Sequence, residues 1–398
     1  MDLVVQKYGG SSLKTPEDIR RVAKQVAEIH HGGTRVIVVV SAMGTATDEL
    51  VQLAYQISPR PNRRELDMLL TAGERVSMAL MSMALHDLYC PSISFTGSQA
   101  GVLTDTSHSN ARIQEIKPIR VEESLEQGKV VVLAGFQGVD PVAKEVTTLG
   151  RGGSDTTAVA MAAHFKAKRC EILKDVDGIF SADPKLIPHA KHYGVFPFAA
   201  IEDACFWGAK VLHFRSVELA RTLKVPLYVG SSLHPEKGTI IQEEVPEMYE
   251  KVIPLTVNSL NEVHHLSVQC ENPAEGMQLL EKELKQHQLA WPQILATVYE
   301  EGRLRMMVST SAEQMKALLQ TLTSSVFKSI REPLTGVTLT CSGLYSSNLP
   351  EQILGLLQQD GLAPVKTLST GTSFSVFVKP DEKERTVRAL HHFIEQNS

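Results

Sequence analysis

Cysteine is sparse in this chain: Cys90, Cys170, Cys205, Cys270 and Cys341 stand far apart, with no C-x-x-C pair. Such spacing argues against a disulfide framework or a structural zinc site and fits a reducing cytoplasm. No apolar run reaches membrane-spanning length, which argues against a membrane partner. No block of Lys and Arg is present, and a net charge of −5 gives nucleic acid nothing to bind. The opening Met1-Asp2-Leu3-Val4-Val5-Gln6-Lys7 reads as an immediate strand and not as a signal peptide. Two nucleotide signatures are missing. There is no G-x-x-x-x-G-K-[ST] loop and no G-x-G-x-x-G, because Gly150-Arg151-Gly152 continues as Gly153-Ser154-Asp155. Protein-kinase catalytic-loop and metal-loop motifs are absent too. The histidines are scattered. His189 and His192 are three apart beside Pro188 but lack a carboxylate partner in the sequence, so they read as surface residues, and no residue is assigned as a metal ligand.

What remains is a globular composition, 43% hydrophobic and 21% charged, in 398 residues, which is enough for two or three domains. Up to about Gln242 the pattern is strand, glycine- or hydroxyl-rich turn, helix, repeated. The strands are Leu3–Lys7, Val36–Val40, Ile93–Phe95, Val130–Phe136, Cys170–Leu173 and Val225–Val229. Thr15, Pro16, Glu17 and Asp18 start the first helix, and a long helical region runs from about Arg63 to Leu88. This alternation predicts an α/β fold with a mostly parallel sheet and helices on both faces. Ligands of such sheets bind beyond the carboxyl ends of the strands, so the turns should converge on one site. Beyond Gln242 an acidic, proline-bearing stretch, Glu243–Glu247, reads as a linker. Short alternating strands follow (Val252–Val257, His264–Gln269, Arg303–Val308, Val337–Cys341, Ser373–Val378) with amphipathic helices near Pro273–His287 and Leu349–Asp360. They suggest two small α+β modules of regulatory or oligomerising character.

The most informative stretch is Leu149-Gly150-Arg151-Gly152-Gly153-Ser154-Asp155-Thr156-Thr157. Its glycines allow close backbone approach, and Ser154, Asp155 and Thr156 offer N-cap chemistry to a wholly apolar helix. The free N–H groups of that helix start, with Arg151 beside them, make a place for a carboxylate or a phosphate. Elsewhere Lys7 precedes Gly9-Gly10, Asp175 and Asp177 end a strand, and Lys210 follows Gly208-Ala209. Lysines with glycine N–H groups can neutralise a polyphosphate, while aspartates can orient lysines or hold Mg²⁺. Each residue also has a plainer reading: a solvated lysine, a D-x-D-G turn, a solvent-facing Glu74, or Thr47 as a helix cap.

Seven stretches in this order resemble the aspartate kinase family: Lys7-Tyr-Gly-Gly-Ser-Ser, Val40-Ser-Ala-Met-Gly, Thr71-Ala-Gly-Glu-Arg, Phe95-Thr-Gly-Ser-Gln-Ala-Gly, Ala134-Gly-Phe-Gln-Gly, Leu149-Gly-Arg-Gly-Gly-Ser-Asp-Thr-Thr, and Asp175-Val-Asp-Gly with Ala182-Asp-Pro. The resemblance covers residues 1 to about 242. It implies an amino-acid-kinase-like three-layer sandwich followed by two α+β ACT-like (ferredoxin-like) modules. The implied division is a catalytic domain at 1–242, a linker and one strand of the second ACT module at 243–262, a first module at 263–332 and a second at 333–398. The implied reaction is transfer of the γ-phosphoryl of ATP, carrying Mg²⁺, to the β-carboxylate of L-aspartate, the first step towards lysine, threonine, methionine and diaminopimelate. A carboxylate is already nucleophilic at neutral pH, so the task is to hold an anion against a polyanion.

By the same resemblance Lys7, Asp155 and Lys210 are catalytic, with Asp155 holding the lysines. Lys7, Gly9, Gly10, Ser11, Lys174, Asp175, Phe180, Ser181, Asp183, Pro184, Lys185 and Lys210 would bind ATP. Ser41, Thr45, Thr47, Glu74, Arg151, Gly152, Gly153 and Ser154 would bind aspartate, Arg151 at a carboxylate and Glu74 at the ammonium. There are departures from the family pattern. Lys174 replaces a small hydroxyl residue, Lys185 an arginine, and His213-Phe214-Arg215 the usual H-P-R. The turn Asn272–Gly276 and the stretch Leu289–Gln293 depart from the usual effector-binding sequences, so weak or absent inhibition by lysine or threonine alone is expected. A homodimer or higher oligomer through the ACT-like modules is implied, and Met248 falls where some relatives begin a shorter subunit. The alternatives are a catalytically weak amino-acid-sensing or partner subunit, and a sister carboxylate kinase acting on glutamate or acetylglutamate.

Overall fold

The computed structural model describes residues 2–243, 252–287, 289, 291–310, 312–321, 327–329, 333–342 and 348–397. Met248 and most of the expected linker lie outside them. The chain divides into two compact units. The first comprises Met1–Ile179, His192–Glu202 and Lys210–Val245; the second comprises Phe180–Lys191, Asp203–Ala209 and Pro246–Ser398.

The first unit is built on an eight-stranded sheet, in the order Val195–Pro197, Thr239–Gln242, Leu227–Ser231, Arg169–Lys174, Leu3–Tyr8, Arg35–Val40, Val130–Ala134, Ser92–Phe95. The strands from Leu227–Ser231 to Ser92–Phe95 are mutually parallel. Beyond Leu227–Ser231 a further strand, Thr239–Gln242, returns antiparallel beside it. The central strands are continuous β-branched runs because both faces are covered. On one face Val4, Tyr8, Val36, Val38, Val130 and Val132 pack against Val22 and Val26 of the helix Pro16–His31 and Met81 and Leu85 of the helix Arg63–Asp87. Each such fully buried side chain contributes about 1.5–3 kcal/mol. Thr15 caps the first of these helices, its hydroxyl accepting from Asp18 N–H while the Asp18 carboxylate accepts from Thr15 N–H. The helix Gly153–His164 touches the strands Leu3–Tyr8, Arg35–Val40 and Arg169–Lys174. All its residues from Gly153 to Ala162 are buried.

The helix Arg63–Asp87 corrects one expectation, since it is long and apolar enough to cross a membrane by length and composition. Leu70, Met81 and Leu85 are buried while Met68, Val76, Leu80 and Met83 are exposed, and the helix buries Asp67 and Glu74, which have partners in the protein. A small four-stranded sheet, also unforeseen, joins Ile113–Ile116, Val102–Thr104, Gln137–Val139 and Val146–Thr148 and delivers the chain to Gly150.

The second unit is a seven-stranded antiparallel sheet. The expected separate strands near Val252–Val257 and His264–Gln269 are one strand, Pro254–Gln269. Its first half pairs with Leu334–Cys341 and its second with Arg303–Ser309 and Phe327–Ser329. The polar residues Asn261 and Glu262 look like a loop in sequence. They form an irregularity between Leu260 and Val263, with Glu262 at φ 55°, that the flanking pairing carries through. Two helices appear as expected, Pro273–Gln286 and Leu349–Gln359; Ala312–Thr321 and Lys383–Asn397 were not anticipated. The last is charge-rich, but Val387, Leu390, Phe393 and Ile394 form a buried stripe at helical spacing.

Candidate active site

The site is assembled where strands of the first unit end. Side chains alternate along a strand, so Val5 and Lys7 share one face. In the neighbouring parallel strand Cys170 lies opposite Val5 and Ile172 opposite Lys7. Lys174, two residues beyond Ile172, therefore points to the same side as Lys7. Both meet Asp155 in the first turn of the buried helix: Lys7 Nζ is 2.6 Å from Oδ1 and Lys174 Nζ 3.3 Å from Oδ2. Asp155 is 2% exposed and Lys7 6%. Burial works to raise the Asp155 pKa, but Lys174 and Lys7 outweigh it and hold the carboxyl far below the usual range. Burial pushes the Lys7 ammonium down, which Asp155 opposes and Lys174 reinforces. Two ammonium groups against one carboxylate leave a positive charge uncompensated, suited to an anion.

The surrounding turns are stitched to this cluster. Gly9 N–H donates to Leu173 O and Gly44 N–H to Gly10 O. A Cβ on Gly10 would lie 2.7 Å from Ala42 O and 3.0 Å from Gly44 O, so only glycine lets the two turns touch. Ser11 Oγ donates to Asp175 Oδ1 at 3.2 Å, and Ser41 N–H donates to Tyr8 O. The buried helix begins differently from the expectation. Its N-cap is Gly152 at φ 72° with no side-chain cap, and Ser154, Asp155 and Thr156 sit inside its first turn. A Cβ on Gly152 would strike the ring of His213, so the left-handed turn and the histidine require each other.

Glu74 is buried, not solvent-facing. Its Oε1 accepts Ala42 N–H at 3.1 Å, while Oε2 has no hydrogen-bond partner among the described residues. Burial raises its carboxyl to about 7, opposed by these backbone donors and by Lys7. A buried, half-partnered carboxylate next to a cationic cluster is suited to a substrate ammonium. Arg151 is exposed at the turn and makes no ion pair among the described residues. The turn before it is held by a residue that sequence reasoning noted only as a departure. Arg215 donates to Leu149 O at 2.7 Å, Asn110 Oδ1 at 3.0 Å and Ala111 O at 3.0 Å. Asp67 was missed altogether. It accepts Thr148 Oγ1–H at 2.6 Å and the backbone N–H of Thr148 and Ser109, fixing the approach to Gly150. Nothing in its surroundings marked it, since the same helix carries Arg63, Arg64, Glu65, Glu74 and Arg75.

Three expectations are corrected. Asp155 was expected to hold Lys7 and Lys210, but its second partner is Lys174, and Lys210 is exposed with no ion pair among the described residues. The reason is register: Lys174 ends the strand beside Lys7. Ser181 was expected at ATP but is fully buried in the second unit, its Oγ bonded to His391 Nε2 and accepting Lys191 N–H. Thr47 does not cap the helix Ala46–Ile57; Thr45 is its N-cap residue and spends its hydroxyl on Glu49 Oε1 at 2.7 Å. Phe180, Asp183, Pro184 and Lys185 belong to the second unit, where Asp183 Oδ1 accepts Lys185 N–H.

Residues 2–231 match the amino acid kinase family. The aspartokinase of Bacillus sp. strain MGA3 is 37% identical over 404 residues, 99% of this chain and 98% of that protein. This chain belongs to the aspartokinases of the amino acid kinase family. The Mycolicibacterium smegmatis aspartokinase is 53% identical over 248 residues, and there the chain spans about three fifths of the relative's length. Among solved structures, E. coli aspartokinase III in complex with aspartate and ADP aligns over 98% of this chain and 99% of its own, with a TM-score of 0.81 at 21% identity. The likeness is one of fold: a mostly parallel α/β sandwich followed by two α+β ACT-like modules.

Proposed function

We propose that this aspartokinase-family chain transfers the γ-phosphoryl of ATP to the β-carboxylate of L-aspartate, giving 4-phospho-L-aspartate and ADP. The observation that carries the reading is the buried Lys7–Asp155–Lys174 cluster with its unbalanced positive charge. Nucleophile and electrophile are both anionic, so the barrier falls when fixed cations sit between them. Lys7 and Lys174 face the transferring phosphoryl oxygens, and Asp155 fixes both ammonium groups so that no reorganisation is needed. Gly9, Gly10 and Ser11 offer the glycine turn to the phosphates. Asp175, Phe180, Asp183, Pro184, Lys185 and Lys210 remain candidates for the nucleotide side. Asp155 has both oxygens committed to lysines, so the residues present suit Mg²⁺ arriving on the nucleotide and held by phosphate oxygens.

On the acceptor side Glu74 takes the aspartate ammonium, Arg151 grips a carboxylate as a two-pronged donor, and Ser41, Thr45, Thr47, Gly152, Gly153 and Ser154 line the remainder. The product opens the route to lysine, threonine, methionine and diaminopimelate in the cytoplasm. Residues 1–242 act as the catalytic domain and 243–262, 263–332 and 333–398 as the linker and the ACT-like modules, which associate as a homodimer or higher oligomer. Inhibition by lysine or threonine alone is weak. The turn at Asn272 satisfies itself, with Asn272 Oδ1 accepting Glu275 N–H at 3.0 Å and Glu275 Oε2 accepting Glu271 N–H at 2.6 Å. The test is purified protein with ATP, Mg²⁺, L-aspartate and hydroxylamine. Aspartyl hydroxamate should form, and Lys7→Ala should abolish it while keeping the fold. Full activity in that variant, or no product from the natural chain, defeats the proposal.

A further inference from the structure

His189, an isolated surface histidine in the sequence, acquires a carboxylate partner in the fold. The segment Phe180–Lys191 is pinned to the final helix, Lys383–Asn397, because Ala182 and Ile187 enter the same core as Leu390, Phe393 and Ile394. Its turn is closed by Leu186 and Ile187 N–H donating to Asp183 O. On the helix, His391 and Glu395 are four apart and so stand one above the other. His189 Nε2 lies 3.1 Å from Glu395 Oε1, and His391 Nδ1 lies 3.7 Å from the same oxygen. One donor atom from each of the three residues falls within 4.8 Å of the others. Ligands bound at about 2.0–2.1 Å around a tetrahedral ion stand about 3.3 Å apart, and the two measured separations bracket that figure.

We propose that His189, His391 and Glu395 form a binding site for a zinc-class divalent transition-metal ion. Two imidazoles and one carboxylate select such an ion over Mg²⁺ or Ca²⁺, which require oxygen donors, and three protein ligands leave a fourth position for water. A metal on Nδ1 would select the tautomer whose proton sits on Nε2, 2.9 Å from Ser181 Oγ. That leaves the Nδ1 lone pair facing the site. Ser181 is thus the outer partner that orients the ligand, as metal-bound histidines ordinarily have. His392 Nδ1, 3.5 Å from Glu395 Oε2, steadies the carboxylate from its outer side. A bound ion would tie together two segments some two hundred residues apart in sequence.

The experiment uses the full chain, stripped with EDTA and freed of chelator. Zn²⁺ is titrated against a chromophoric competitor, and Co²⁺ is followed by its visible spectrum. One equivalent should bind, with cobalt bands of four-coordinate intensity, and Zn²⁺ should raise the unfolding temperature. His189→Ala and Glu395→Gln, both at exposed positions, should each weaken binding by roughly 100-fold and remove the thermal shift. His192→Ala should leave both unchanged, since His192 Nε2 contacts Asp177 O elsewhere. Absence of stoichiometric binding, a weak six-coordinate cobalt spectrum, or undiminished binding in both variants overturns the proposal.

Discussion

Replacing Glu74 by Gln tests the acceptor side most directly, because the same burial that suits Glu74 to a substrate ammonium makes it costly to the free protein. Its folded pKa of about 7 lies above the ordinary value of 4.5 that holds in the unfolded chain. Between those two pH values the folded state binds the proton more tightly, so stability is greatest below the lower one and falls as pH rises to the upper one. The shift of about 2.5 units corresponds to about 3 kcal/mol lost on ionisation. Glutamine keeps the bond from Ala42 N–H but never ionises. Its own unpaired amide costs about 1–3 kcal/mol at every pH, so the pH dependence of the difference carries the test. Relative to the natural chain, Glu74→Gln should gain about 3 kcal/mol between pH 4.5 and pH 8. At about 2–4 °C per kcal/mol this is readily seen in thermal unfolding. The same variant should raise the KM for aspartate roughly 100-fold through loss of a charged contact, and kcat/KM of the natural chain should rise with pH through about 7. A stability difference that stays flat across that pH range would refute the burial argument, and an unchanged KM would remove Glu74 from the substrate site.

Lys174→Met should lower kcat by roughly 100–1000-fold, the about 3–4 kcal/mol expected when one preorganised charge is lost, and steady-state turnover near the natural rate would show that Lys174 is a bystander. Gly10→Ala drives a methyl to 2.7 Å from Ala42 O, so it should destabilise the first unit by about 1–3 kcal/mol in thermal unfolding and reduce turnover. Arg215→Met removes three donors from the loop ahead of Arg151 and should raise the KM for aspartate about tenfold with little change in the KM for ATP; equal changes in both would contradict its place beside the acceptor.

Local chemistry determined much of this protein in advance. Thr15, Pro16 and Asp18 together favour a helix start, the β-branched run Val36–Val40 favours a strand covered on both sides, and period-two alternation turns Lys7 and Val5 the same way. The turns at Gly9–Gly10, Ser41 and Gly150–Gly153 were legible because glycine and hydroxyl residues act on their own backbone. Pairing across the chain was decided only by the fold. Nothing near Lys174 in sequence says that its strand lies beside Lys7, and that adjacency makes it, and not Lys210, the second cation on Asp155. Glu74 had a solvent-facing reading until packing buried it, and Asp67 and His391 drew no notice, since burial depends on what lies opposite and hydropathy reports only the residue itself. His189 and Glu395 meet because a short turn is fastened to the last helix, a contact between distant segments that no spacing rule contains.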